Sequence, residues 1–338
     1  MSRSGFIILI IVVLLCNYTL LYAAEEDLVP YKKHSITILW ENDFLNFMKS
    51  DRYYTNGARI GWTSKEYDYF NEDNSMSWAK NVSITSYNKH HLTRFHLSIN
   101  QEMYTPATHG PGIGKNDHPY GGFLYLNTGI FNRTQNTQEH IGIKLGLVGK
   151  YSFAGQIQTA LHSGMGKLIF SEWDKYQLAN EFIFNPYYQW TGRAYLFKTK
   201  GISMDFLGTF DMALGNADTH FGTYGTFRIG HNLDNDFGMP KINLEQDYAP
   251  VHSDKFSVYV FVGGGAKVTL HNIFVQGNSP ESNFGYNINL LRWEVSTGLV
   301  MSFYGVRLGY IWTYYTKDYV EQPYDHHAVG ALLVEFSF

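Results

Sequence analysis

The chain has 338 residues, 44% of them hydrophobic and 17% aromatic but only 17% charged. So much aromatic surface rules out a disordered chain, and a mean hydropathy of -0.24 leaves no room for a bundle of long apolar helices. With 26 basic against 30 acidic side chains the formal charge is -4, so nucleic acid is not an expected partner.

At the start of the chain Arg3 precedes an apolar run over residues 5–16, and the small pair Ala23-Ala24 stands before Glu25-Glu26-Asp27. A positive start, a short apolar stretch and a small-residue cleavage site predict a signal peptide over residues 1–24, with an exported unit over 25–338. An uncleaved anchor needs about 20 apolar residues, and Asn17 and Thr19 interrupt the run. Cleavage removes Cys16, the one cysteine, so neither disulfides nor thiol chemistry are expected.

No later stretch is apolar enough to cross a bilayer as a helix. Instead, period-two alternation recurs. Ile36, Ile38 and Trp40 oppose Ser35 and Thr37; Phe95, Leu97 and Ile99 oppose His96, Ser98 and Asn100. Similar patterns cover residues 187–197, 221–229, 256–270, 286–300 and 305–315, separated by turn-rich stretches at 71–75, 277–280 and 321–325. The chain ends on the same pattern, Leu332, Val334, Phe336 and Phe338 alternating with Leu333, Glu335 and Ser337. An aromatic last residue on an alternating strand is the ending of bacterial outer-membrane barrels, although a soluble sandwich can share it. With the leader and the aromatic supply for interfacial girdles, the expectation is an all-β protein: one antiparallel transmembrane barrel in the outer membrane. About 314 residues at roughly 25 per strand and turn give an even strand number near 12. No linker or repeat marks a second domain, and a monomer is expected.

Familiar catalytic motifs are absent: no G-x-S-x-G, H-E-x-x-H, C-x-x-C or P-loop. The 110–115 stretch lacks the glycine spacing of a phosphate cradle. Asp234-Asn235-Asp236-Phe237-Gly238 faintly suggests a cation loop without its later ligands, and His90-His91 and His326-His327 read as solvated loop or strand-edge histidines. A dense polar cluster stands out where the first strand ends: Glu41-Asn42-Asp43, then Asp51-Arg52-Tyr53-Tyr54-Thr55-Asn56-Gly57. Carboxylate, amide and hydroxyl gathered by one hairpin can hold a hard cation or an oxyanion; a polar loop capping a barrel is the other reading.

These residues, continued by Ala58-Arg59, resemble the opening signature of the outer-membrane lipid A 3'-O-deacylase family. Four further stretches agree in order. They are Gln101-Glu102-Met103-Tyr104-Thr105-Pro106; Asp117-His118-Pro119-Tyr120-Gly121-Gly122; residues 156–162 with Trp173, Gln177 and Glu181; and Asn232-Leu233 with Asp236-Phe237-Gly238-Met239-Pro240. The resemblance implies a 12-stranded barrel with its active site near the extracellular rim. It also implies calcium-dependent hydrolysis of the ester that links the 3' acyloxyacyl chain to lipid A, the substrate carried by lipopolysaccharide. It puts the family's Asn-Asp pair on Asn42 and Asp43, which also become the candidate Ca2+ ligands, its Ser/Thr on Thr55 and its catalytic histidine on His162. Two departures stand out. No acid follows His162 before Glu172, and the basic pair expected after Tyr104-Thr105-Pro106 is replaced by a stretch ending at Lys115.

A neutral imidazole suits general-base chemistry on water, calcium suits Asp43 and its neighbours, and Asn42 can serve an oxyanion or the metal. Thr55 orients water or substrate more readily than it attacks, having no base beside it in sequence. For His162 the competing reading is a histidine closing a short helical run over 156–161 before Gly164. An outer-membrane phospholipase, or a porin or adhesin barrel without catalysis, are the alternatives.

Overall fold

The computed structural model describes residues 28–46, 52–71, 75–87, 89–108, 114, 116–166, 169–170, 172–242, 250–279 and 285–338. The expected leader lies outside them, as do Asp51 and all of the 110–115 stretch except Gly114.

Twelve strands form a closed antiparallel barrel. In chain order they are β1 (Ser35–Asn42), β2 (Tyr53–Thr63), β3 (Leu92–Thr105), β4 (Gly121–Arg133), β5 (Thr137–Val148), β6 (Glu181–Lys198), β7 (Ser203–Leu214), β8 (Asp218–His231), β9 (Ser257–Asn272), β10 (Leu291–Phe303), β11 (Val306–Thr316) and β12 (His326–Ser337). Each strand pairs with its sequence neighbours, and β12 closes on β1 with Phe336 opposite Ile36. Closure leaves no strand edge, as a lipid environment requires.

The alternation sorts side chains inside out. On β1, Ile36, Ile38 and Trp40 face outward at 40–45% exposure while Ser35, Thr37 and Glu41 are buried inward. Charged residues face the lumen: Arg228 donates to both oxygens of Asp205, at 2.9 and 2.6 Å. An apolar exterior and a polar, paired interior are the membrane-barrel arrangement.

The start of β1 and the end of β12 lie together at one end of the barrel, here the terminal end, with the His34 N–H donating to the Phe338 carbonyl; the loops after β1, β3, β5, β7, β9 and β11 sit at the distal end. From the terminal end, residues 232–242 between β8 and β9 turn back into the lumen. Asp236 meets Arg228 at 2.6 Å, Arg307 at 3.1 Å and the Tyr259 hydroxyl at 3.0 Å, and Met239 packs with Leu39, Ile311 and Leu333. The faint cation-loop likeness of Asp234-Asn235-Asp236, already short of ligands in the sequence, has no support here, because two guanidiniums neutralise the Asp236 carboxylate.

The distal mouth is roofed by stacked rings: His118 on Tyr104 at 5.7 Å, Tyr104 on Phe274 at 4.0 Å and Tyr286 on Tyr319 at 4.8 Å. Asp117 ties this roof together by accepting the N–H groups of Ala107, Thr108 and His118. Two expectations change here. Residues 286–290 precede β10 and run beside the β11–β12 loop, Ile288 bridging to Tyr319, because Tyr286 spends its alternating aromatic face on that stack. His91 and His327 are buried, not solvated, at 0% and 1% exposure, His327 stacked on Tyr315.

Candidate active site

At the distal rim the wall carries a polar patch on its outer face. Asn42 ends β1 in an extended conformation, and its Oδ1 accepts the Phe44 N–H at 2.8 Å, capping the 3-10 turn Asp43–Leu45. Its Nδ2 donates to Asn56 Oδ1 at 3.1 Å across the β1–β2 pair, and the Trp40 indole donates to the same oxygen at 2.8 Å. Trp40 faces lipid, so Asn42 and Asn56 share the outer face. Asp43 is 4% exposed; its Oδ2 accepts the Arg52 N–H at 3.0 Å, tying the turn after β1 to the residue before β2.

Thr55 sits in a β-bulge, where β2 slips by one residue against β3. Its hydroxyl donates to the Met103 carbonyl at 3.2 Å, so its proton is committed to the backbone. This geometry fits a residue that fixes the bulge better than a nucleophile.

The helix α1 (Ala154–Met165) packs over the outer face of β3 and β4. Its close approach depends on Gly122, where a Cβ would stand 2.4 Å from Ala154 Cβ. Ala154, Gln158 and His162 recur every four residues and form the buried stripe, His162 being 9% exposed. The Trp173 indole, in α2 (Trp173–Tyr176), donates to Gln158 Oε1 at 2.6 Å, and the His162 ring meets Phe170 edge-on at 5.1 Å. Phe170, Trp173, Tyr120 and Ala154 form one cluster with Met103, the residue whose carbonyl holds Thr55. Ile157 and Leu161, with Phe153 just before the helix, form an apolar, 40–52% exposed stripe beside the buried one.

All four predicted residues thus lie at one rim. Cross-strand pairing joins Asn42 with Asn56 and sets Thr55 beside Met103; the cluster around Met103 carries α1 and His162 onto the same outer wall. Asn56, Gln158 and Met103 lie within the sequence motifs but were not named as site residues. Gln158 could have been found from its four-residue spacing to His162, whereas Asn56 and Met103 depend on strand register. Glu172, the first acid after His162, stands at the start of α2 and pairs with Lys175 at 3.5 Å.

The oxygen chemistry fits a hard cation: the Asp43 carboxylate beside amide and main-chain oxygens. Asn42 Oδ1 is already engaged by Phe44, which leaves Asp43 as the stronger ligand of the pair. Among the described residues no group of three His, Cys, Asp or Glu side chains gathers into a metal cluster.

The family model for outer membrane protein LpxR matches residues 8–338. The chain belongs to the LpxR family. It is accordingly an outer-membrane, lipid A-modifying protein. LpxR from Salmonella typhimurium superposes with a TM-score of 0.73 at 16% identity, over 90% of this chain and 100% of that one, so the two share the barrel fold. The β domain of the Bordetella autotransporter BrkA aligns over 91% of this chain and 99% of that one, with a TM-score of 0.44 and 11% identity. No curated protein sequence matches the chain. With this LpxR-family barrel the resemblance read from the motifs and the fold class both stand.

Proposed function

We propose that the protein is a calcium-dependent lipid A 3'-O-deacylase working at the outer face of the extracellular rim. The observation that carries this reading is the placement of α1: it bears His162 toward the wall and leaves Ile157 and Leu161 exposed on the neighbouring face, an apolar stripe suited to lipid. An ester at the level of the acyl chains can meet such a site without leaving the leaflet.

In this mechanism His162 takes a proton from water, whose oxygen attacks the ester carbonyl. Asn42 has two amide hydrogens; one goes to Asn56, and the other is free to donate to the oxyanion. The tetrahedral intermediate collapses by breaking the carbonyl–sugar oxygen bond, and the imidazolium returns its proton to the departing sugar oxygen. Thr55 keeps the bulge, and with it the β2 rim, in register. Calcium held by Asp43, with Asn42 as the lesser ligand, would supply charge stabilisation at the carbonyl oxygen. The lumen, occupied by residues 232–242 and their ion pairs, speaks against the porin alternative.

The test is mass spectrometry of lipid A from cells producing the wild type or His162→Ala, with folding checked by heat-modifiable gel migration. Loss of the 3' acyloxyacyl mass only with the wild type supports the reading. Equal acylation in both, with both barrels folded, rejects it. Release of fatty acid from glycerophospholipid instead would point to the phospholipase alternative.

A further inference from the structure

We infer that Glu41, on the inner face of the wall, is a positioning residue for the rim site, and that lumenal residues 233–242 brace the site from inside through it. The inference rests on the hydrolase reading above. The wall is one strand thick and its side chains alternate, so inward Glu41 is covalently adjacent to outward Asn42, as inward Tyr54 is to Thr55. Glu41 Oε2 accepts the Tyr54 hydroxyl at 2.7 Å, while Oε1 accepts the Ile242 N–H at 2.9 Å. One carboxylate therefore ties β1 and β2 to the lumenal segment, back to back with the Asn42–Asn56 bond on the outer face. The bridge requires Gly57, the register partner of Glu41: a Cβ there would lie 1.9 Å from the Tyr54 hydroxyl oxygen.

The next strand repeats the device. Glu102 accepts the hydroxyls of Tyr104 at 2.7 Å and Tyr125 at 2.8 Å, directly beside Met103, whose carbonyl holds Thr55. Glu41 and Glu102 are 3% and 0% exposed. Burying carboxylates is costly, and neither faces the substrate side. A rigid inner frame answers for them, because displacing a reacting group by about 1 Å can cost about 10²-fold in rate.

The experiment compares the full-length wild type with Glu41→Ala, Tyr54→Phe and Glu41→Gln on lipid A in vesicles, rates being counted per folded barrel. Glu41→Ala and Tyr54→Phe are expected to lower kcat about 10- to 100-fold with KM held within about two-fold, and the double variant to be no worse than Glu41→Ala alone. Glu41→Gln keeps an oxygen for the Ile242 N–H and recovers most of the rate. An unchanged kcat, a loss confined to KM, or fully additive losses overturn the proposal. A second readout needs no activity: the side-chain amide resonances of Asn42 and Asn56 in nanodiscs shift in Glu41→Ala and Tyr54→Phe. Unmoved resonances reject the brace even where the wild type hydrolyses lipid A, whereas shifted resonances in a protein that releases no acyl chain uphold the brace and reject only the hydrolase reading.

Discussion

His162 and Asn42 occupy different kinds of support, and their substitutions should read differently. Removing a general base is worth about 10²- to 10⁴-fold, so His162→Ala should abolish measurable acyl release while the barrel stays folded, as lipid A mass spectra and gel migration would record. Asn42→Ala removes the proposed oxyanion donor and also the cap on the Asp43–Leu45 turn. A fall of about 10²- to 10³-fold in kcat is expected. Asp43→Asn keeps the shape but lowers the ligand charge, so the calcium concentration giving half-maximal activity should rise, and a chelator should silence the wild type. Asn42, Asp43 and Thr55 fell at one rim because their spacing already encoded a hairpin, whereas His162 reached it through the docking of α1. Asn56 stands in the polar cluster but was not singled out as a site residue, because its amide gains a role only through register, opposite Asn42.

At the scale of elements, α1 is the one long helix docked on the outer wall among the described residues. It is held by Gly122, by the Trp173–Gln158 bond and by the Met103 cluster. Gly122→Val should push the helix from the wall and lower deacylation about 10²-fold without unfolding the barrel, which activity per folded molecule would show. The helix was legible only in part: the run over 156–161 was seen, but α1 starts at Ala154, and its contact face emerges only against β3 and β4. The aromatic roof brings a pH dependence. Burial lowers the His118 pKa below the ordinary imidazole value, so the folded roof favours the neutral ring. That stability is complete above the ordinary value near 6.5 and is lost as pH falls from there toward the depressed one. Amide protection relative to the intrinsic exchange rate over residues 116–118 should fall as pH drops from about 7 to about 5, and less so in His118→Asn.

The whole molecule is a filled cylinder. Asp236 is 0% exposed and held by Arg228 and Arg307, so Asp236→Asn leaves two guanidiniums short of a counter-charge in the lumen. Breaking such a network costs about 3–5 kcal/mol, which should lower the urea midpoint of the barrel refolded in liposomes. The same packing predicts no stepwise conductance for the wild type in planar bilayers, whereas steady porin-like steps would contradict a lumen occupied by residues 232–242.

Local chemistry along the chain was enough to specify a membrane barrel of about twelve strands, because alternating polarity is written residue by residue and lipid allows that pattern few other folds. It also supplied the catalytic candidates, as ordered short motifs. Tertiary structure alone decided which wall face they occupy. Near the rim Glu41 and Asn42 are both polar, so alternation loses its contrast there, and inside differs from outside only once β12 has closed on β1 and α1 has docked against Gly122.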